Sequence, residues 1–367
     1  AEAHRGLANV LSDWTEAKKV CESSRQAYSR AIELDPQNAE LYIRRGDVSA
    51  SLYDGKAIAD YEKSVEIDPS HVEAHLKCAQ SYVPGGLLRI GEVAEDDLRK
   101  AREHAERALA LAPEDPQCHL ALAGVLGKTD ADVVFLGPAT RIWRPANVEP
   151  ALQHYARAIE LAPDAPVGYR MRGDFFCRIG DYAHALTDLN RALELQPNDD
   201  YTLRRRAFVF TQLGQYDKAL DDFATYLTLQ PHDWEAHYEL GQTHAQLGSW
   251  ESAAESYARA LEIDSSRWFV RKRSAVAHMN LGQYAQALAD LRNALELKPN
   301  DTSTLIFIPE SELLRSPDDF KNDLVELADQ AVERSDDTAA ALAHRGGLYA
   351  HMQQYEKAEA DFAKAAE

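Results

Sequence analysis

The chain has 367 residues, 45% of them hydrophobic, with 60 acidic against 40 basic residues and a formal net charge of −20 at pH 7. That hydrophobic content belongs to a folded chain, while the acidic surplus argues against nucleic acid or an anionic membrane surface as the main ligand, since both demand a basic footprint. No apolar run approaches the roughly 20 residues of a membrane span, Ala1-Glu2-Ala3-His4-Arg5 does not read as a signal peptide, and the few cysteines favour free thiols in a reducing compartment such as the cytoplasm.

In chain order, helical patterns come in pairs. Residues 1–11 fit one helix, with His4, Leu7, Ala8 and Leu11 in register, and a longer second helix runs from about Trp14 to Leu34. Asp35-Pro36 stops it, because proline cannot continue a helix. The next pair, Ala39–His71, carries Gly46, Ala57, Tyr61 and Pro69. A third, Val72–Asp115, has His75, Ala79 and Tyr82 on one side of an insertion at about 83–95, and Ala101, Ala105, Ala108 and Pro113 on the other. The fourth, Pro116–Ala165, is interrupted at the same point by a longer insertion at about 128–147.

From Pro166 to Asp301 the pattern becomes strict: units begin at Pro166, Asp200, Trp234 and Trp268, each 34 residues after the last. Gly173, Ala207, Gly241 and Ala275 align, as do Gly180, Gly214, Gly248 and Gly282, and then Ala185, Ala219, Ala253 and Ala287. In the first of these units Tyr169, Arg172, Gly173 and Phe176 share a helix face by their three- and four-residue spacing. Gly180 ends that helix, and Tyr182, Ala185, Leu189 and Ala192 form the stripe of a second. Residues 302–338 depart from the pattern, with Pro309 where a small helical residue is expected, so the helix there should be short, kinked or displaced. It resumes from Ala339 to Glu367 with Gly346, Tyr349, Tyr355, Ala358 and Phe362.

A fixed period of this length with two helices per unit marks a helix-hairpin array, whose single units cannot bury their own apolar stripe and must stack. On these residues the chain resembles the tetratricopeptide repeat family. The resemblance implies an all-α, right-handed superhelical solenoid of about ten hairpins. It divides into 1–165 with the two insertions, 166–301 with four regular repeats, and 302–367 with one degenerate and one truncated unit. It also implies a non-enzymatic scaffold that holds a peptide segment of a partner protein in its concave groove.

Two populations of basic residues stand out on the first helices. Arg45, Arg172, Arg206 and Arg345 share one repeat position, and their units carry Asp60, Asp188, Asp222 and Asp361 at a shared position of the second helix. An internal Arg–Asp pair is expected in each. Where the arginine is Leu240 the partner is Ser256, and one unit mixes Ser274 with Asp290. The second population, Arg170, Arg178, Arg204, Arg205, Lys272 and Arg273, shows no such partner and is interleaved with Tyr201, Phe208, Tyr238 and Phe269. It reads as a groove for an acidic or carboxylate-ended segment, since guanidinium forks grip carboxylates bidentately. The carboxylate clamp of chaperone-binding family members is not reproduced, because asparagine is absent one turn later, at Asp174, Phe208, Gln242 and Val276.

The longer insertion carries Phe135, Arg141, Trp143 and Arg144, residue types enriched at binding hot spots, and is a second contact candidate. Gly124-Val125-Leu126-Gly127-Lys128-Thr129 imitates the end of a phosphate loop but has Leu122 where the first glycine belongs. His71, His75 and Cys78 have helical spacing suited to a metal, yet His75 and Cys78 occupy core positions, so no metal or other cofactor is expected. His237, His244 and His278 replace core or boundary residues, and all four cysteines read as small buried thiols. No nucleophile-elbow, dinucleotide or zinc-protease motif occurs, which leaves no catalytic residues. Two rival readings are self-assembly into a dimer or filament through an uncapped C-terminal end, and an accessory domain of a larger enzyme.

Overall fold

Helices pair into antiparallel hairpins wherever the repeat pattern holds. A computed structural model describes residues 2–52, 55–83, 95–128, 131–135, 141–145, 148–306 and 308–366, with side chains from Lys18 onward except at 131–145 and 306. Two compact units follow, Ala1–Pro197 and Asn198–Glu367.

The first unit opens with α1 (Glu2–Leu34), a single unbroken helix. The break expected near residues 11–14 is absent, because Ser12 and Asp13 offer neither glycine nor proline to stop it. The hairpins α2 (Ala39–Ser51) and α3 (Ala57–Ile67), α4 (Val72–Tyr82) and α5 (Glu95–Leu111), α6 (Pro116–Leu126) and α7 (Val148–Leu161), and α8 (Pro166–Arg178) and α9 (Tyr182–Leu195) follow. Between α6 and α7, β1 (Ala131–Phe135) and β2 (Arg141–Pro145) form an antiparallel ladder with Val133 opposite Trp143. Among the described residues this ladder is the departure from an otherwise helical chain. Its β-branched and aromatic run suits a strand better than a helix.

The second unit contains α10 (Asp200–Gln212) and α11 (Tyr216–Leu229), α12 (Trp234–Leu247) and α13 (Trp250–Ile263), and α14 (Trp268–Asn280) and α15 (Tyr284–Leu297). Pro309 then has its expected effect. A 3-10 helix, Thr302–Ile306, and the six-residue α16 (Glu310–Arg315) replace a regular first helix, with Pro309 at the N-cap of α16. Leu305, Ile308 and Leu313 nevertheless bury fully against α15 and α17 (Asp318–Arg334). The final hairpin is α18 (Thr338–His351) and α19 (Tyr355–Ala365).

Each tight hairpin turn uses one device. Gly180, Gly214, Gly248 and Gly282 take φ of 79°, 70°, 81° and 72°. The residue after each donates its N–H back five residues, as from Gln215 to the Phe210 carbonyl at 2.8 Å. That closes the helix with a Schellman bond. Second helices then press the small residues of the first: a β-carbon at Gly241 would stand 2.5 Å from the Tyr257 ring, and one at Gly46 equally close to Tyr61.

All four expected Arg–Asp pairs form and are bidentate. Arg45 meets Asp60 at 2.9 and 2.6 Å, and Arg172 meets Asp188 at 2.7 and 2.8 Å. Arg206 meets Asp222 at 2.8 and 2.7 Å, and Arg345 meets Asp361 at 2.7 Å twice. The unit that mixes Ser274 with Asp290 resolves differently: His278 approaches Asp290 to 3.0 Å and Arg271 to 3.8 Å.

One device escaped the sequence reading. Four first helices carry a side chain bonded to the carbonyl of a proline six residues earlier: Tyr42 to Pro36 at 3.3 Å, His75 to Pro69 at 3.2 Å, His119 to Pro113 at 3.0 Å and His237 to Pro231 at 3.2 Å. The signal was a hydrogen-bonding residue at a constant distance from each unit-closing proline. It ties the start of one repeat to the end of the one before.

Candidate functional site

In the second unit, α12 touches both α10 and α14, so their side chains can form one face. Helix α10 starts behind Asp199, which accepts from the Thr202 N–H, and α12 starts behind Asp233, which accepts from Glu235 N–H at 2.9 Å. These caps satisfy N–H groups the helices leave open.

Arg204 does not wait for a ligand. Its Nε donates to Glu239 at 2.8 Å and its Nη2 to the other oxygen at 3.0 Å, while Asp233 and Glu235 lie at 3.2 and 3.1 Å. Burial alone would lower its pKa, but the bonds to Glu239 and the charges of Asp233 and Glu235 prevail and raise it. Burial also raises Glu235, and Arg204 offsets this only in part. Tyr226 adds its hydroxyl to Asp233 at 2.5 Å. Lys272 is likewise committed: it is buried, its Nζ reaches Asp301 and Ser303 at 3.3 Å each, and it lies over the Trp268 ring. Burial lowers its pKa. In the first unit Arg178 sits 3.4 Å from Asp174 and over the Phe175 ring, and Arg170 is half-buried on the same helix. The expectation that this population lacks internal partners is therefore corrected: Arg204, Lys272 and Arg178 meet carboxylates, and Arg170, Arg205 and Arg273 also make internal interactions. The carboxylates of the first three come from the end of the same repeat, from the next repeat or from the same helix, and Arg204–Asp233 and Lys272–Asp301 share one offset of 29 residues.

The remaining members of the face lie together. Arg205 stacks over Phe208, and Gln242 donates to the Tyr238 hydroxyl at 2.9 Å. Phe269 meets Tyr238 edge-on at 5.3 Å between centroids, Trp234 at 5.8 Å and Trp268 at 5.9 Å. Burial raises the Tyr238 phenol, and Arg273 beside it acts the other way. Tyr201 is 38% exposed. A cleft of about 20 Å³ lies between α10 and α12, bounded by Phe208, Thr211, Glu239, Gln242 and Thr243. It holds about one water-sized group. Trp234 and Trp268 were not singled out from sequence, although tryptophan opening two consecutive units was a readable signal.

Phe135, Arg141, Trp143 and Arg144 fall on β1 and β2, and their side chains lie outside the described residues. Gly124–Leu126 is helical, as expected for a phosphate-loop imitation. Cys78, Cys118 and Cys177 are buried free thiols, whereas Cys21 on α1 is only partly buried, which corrects the reading of all four as core. Among the described residues no group of three or more His, Cys, Asp or Glu is placed to hold a metal. Nor is any described helix long and apolar enough to cross a membrane.

Stacked helix hairpins with a first-helix face of aromatic, amide and guanidinium groups define a repeat scaffold for protein interaction. The chain is a tetratricopeptide repeat protein: residues 209–267 and 270–301 each match a tetratricopeptide repeat model. No curated protein matches the sequence closely enough to count as a relative. Among solved structures, PilW, described as a widely conserved type IV pilus biogenesis factor, is 17% identical, with 61% of this chain and 92% of that one covered and a TM-score of 0.50. That likeness shows a common fold. PilF of Pseudomonas aeruginosa is 16% identical, with 64% and 94% covered and a TM-score of 0.48. MamA of Desulfovibrio magneticus RS-1 is 21% identical, with 42% and 88% covered and a TM-score of 0.41.

Proposed function

We propose that the face of α10, α12 and α14 binds a segment of a partner protein and performs no chemistry on it. The observation that carries this reading is the half-exposed row of Phe208, Tyr238 and Phe269 beside Arg205 and Arg273, on helices that internal ion pairs already hold in place. Rigid aromatics and arginines give the largest contact energies at interfaces. A carboxylate of the partner would sit near Arg205 or Arg273, which stand beside the aromatic row. On the first unit, Arg170 and Arg178 would be a contact of their own, as would Phe135, Arg141, Trp143 and Arg144.

The test is affinity capture read by mass spectrometry, comparing the wild type with Arg205→Glu/Arg273→Glu after both are shown to melt alike. Partners lost only from the variant support the face, and an unchanged set of partners rejects it. A second reading, self-association through the last hairpin, is favoured by Tyr355 and Phe362, which are 61% and 44% exposed on α19. It requires a sedimenting mass that rises with concentration, and a constant mass rejects it.

A further inference from the structure

Two histidine pairs cross the hairpins α4/α5 and α6/α7. Nδ1 of His75 lies 3.0 Å from Nδ1 of His104, and Nδ1 of His119 lies 3.0 Å from Nδ1 of His154. The ring centroids are 5.2 and 5.3 Å apart. In each pair the first ring is buried and anchored, its Nε2 facing the carbonyl of Pro69 at 3.2 Å or of Pro113 at 3.0 Å.

These anchors fix the protons. A carbonyl only accepts, so Nε2 of His75 and of His119 carries hydrogen, and in the neutral ring Nδ1 is then the lone pair. The bond across each hairpin therefore requires that His104 and His154 hold hydrogen on Nδ1. One added proton is tolerated: the first ring becomes the donor, and the hydrogen of the second moves to its Nε2. A second proton removes the last acceptor and leaves two cations facing each other. The two hairpins so tied are those with the long connections, residues 83–94 and 127–147, between their helices.

We propose that each histidine pair is a pH-sensitive clasp, closed while its two rings share at most one extra proton and opened when both are charged. The surroundings favour the neutral form of His75, His104 and His154. For His75, burial and the charges of Arg107 and His71 lower the pKa against the Pro69 carbonyl and Asp68. For His104, burial and His75 lower it against Glu62 and Glu103, with the Tyr82 ring stacked alongside. For His154, burial and His119 lower it, while Glu114 and Arg157 on the flanking segments bond each other at 2.8 Å. Because these pKa values lie below the unfolded value of about 6.5, the unfolded chain takes up more protons as pH falls. The contribution of the clasps is whole above that value and is lost as pH falls through the folded pKa values.

Nitrogen-15 spectra of histidine-labelled full-length protein, with a chelator present, read the tautomers directly. Near neutral pH the hydrogen should be on Nδ1 of His104 and His154 and on Nε2 of His75 and His119. Thermal melts between about pH 7.5 and about pH 5 should show the wild type losing several degrees more than His104→Phe/His154→Phe. Hydrogen on Nε2 of all four rings near neutral pH, or parallel losses in wild type and variant, would overturn the proposal. The spectra need only wild-type protein, so a variant that fails to fold leaves the test intact.

Discussion

Arg204 reaches out of its own repeat and grips both oxygens of Glu239, at 2.8 and 3.0 Å, from α10 to α12. Asp233 and Glu235 complete the ring of carboxylates around it. Removing the guanidinium strands three partly buried acids, so Arg204→Ala should lose about 3 kcal/mol, the lower end for a broken buried pair. Urea unfolding against Arg205→Ala checks this. The idea fails if both variants unfold at the wild-type midpoint.

That same contact shows which chemistry a sequence exposes. Arg172 and Asp188 were legible as partners because the same two repeat positions hold Arg and Asp in four units, and recurrence within the repeat is the signal. Arg204–Asp233 and Lys272–Asp301 recur in the same way, each 29 residues apart at the same two repeat positions, and were equally open to reading. Glu235 and Glu239 around Arg204 and His278 beside Asp290, by contrast, occur once among the described residues. The helices, the turns at Gly180 and Gly214, and the disruption at Pro309 follow from local chain chemistry and read directly. The β1–β2 ladder was hidden because its pairing depends on two short runs with Gly137-Pro138 between them, set inside a helical pattern. The histidine–proline anchors were hidden because His75 and His119 look apolar in the repeat alignment.

Close approach makes a contrast between two aligned glycines. A β-carbon at Gly241 would lie 2.5 Å from Tyr257, whose buried ring has no room to retreat. Gly241→Ala should cost about 1–3 kcal/mol as overpacking. At Gly173 the neighbour is the Leu189 side chain at 3.0 Å, which can shift by the few tenths of an ångström required. There the gain in helix propensity of about 1 kcal/mol offsets the strain, and Gly173→Ala should stay near the wild type. Chemical denaturation of the two variants side by side decides it, and equal midpoints would refute the contrast.

In the last hairpin Gln353 takes the left-handed turn with φ of 60°, where the other tight turns use glycine. Gln354 donates to the Tyr349 carbonyl at 2.9 Å, so the turn is the same one built from a less suitable residue. Replacing it removes a steric cost of about 1–2 kcal/mol, partly returned as chain entropy in the unfolded state. Gln353→Gly should therefore raise stability by up to about 1 kcal/mol. Hydrogen exchange along α18 and α19 would show slower opening. Faster exchange there would mean the glutamine side chain contributes something the turn geometry does not reveal.

The four free thiols should differ sharply in reactivity. Attack on an alkylating reagent requires the thiolate. Burial pushes Cys78 up to about 12 and Cys118 up to about 11, and neither side chain is exposed to solvent. Cys177 is 5% exposed on α8, whereas Cys21 is only partly buried on α1. Iodoacetamide at mildly alkaline pH should therefore label Cys21 first in the native chain and reach the other three only as fast as the hairpins open. Peptide mapping after timed quenching gives the four rates. In denaturant they should converge, because unfolding removes the burial that separates them. Native labelling of Cys78 or Cys118 at the rate of Cys21 would show that the hairpins α4/α5 and α6/α7 open far more often than their packing implies.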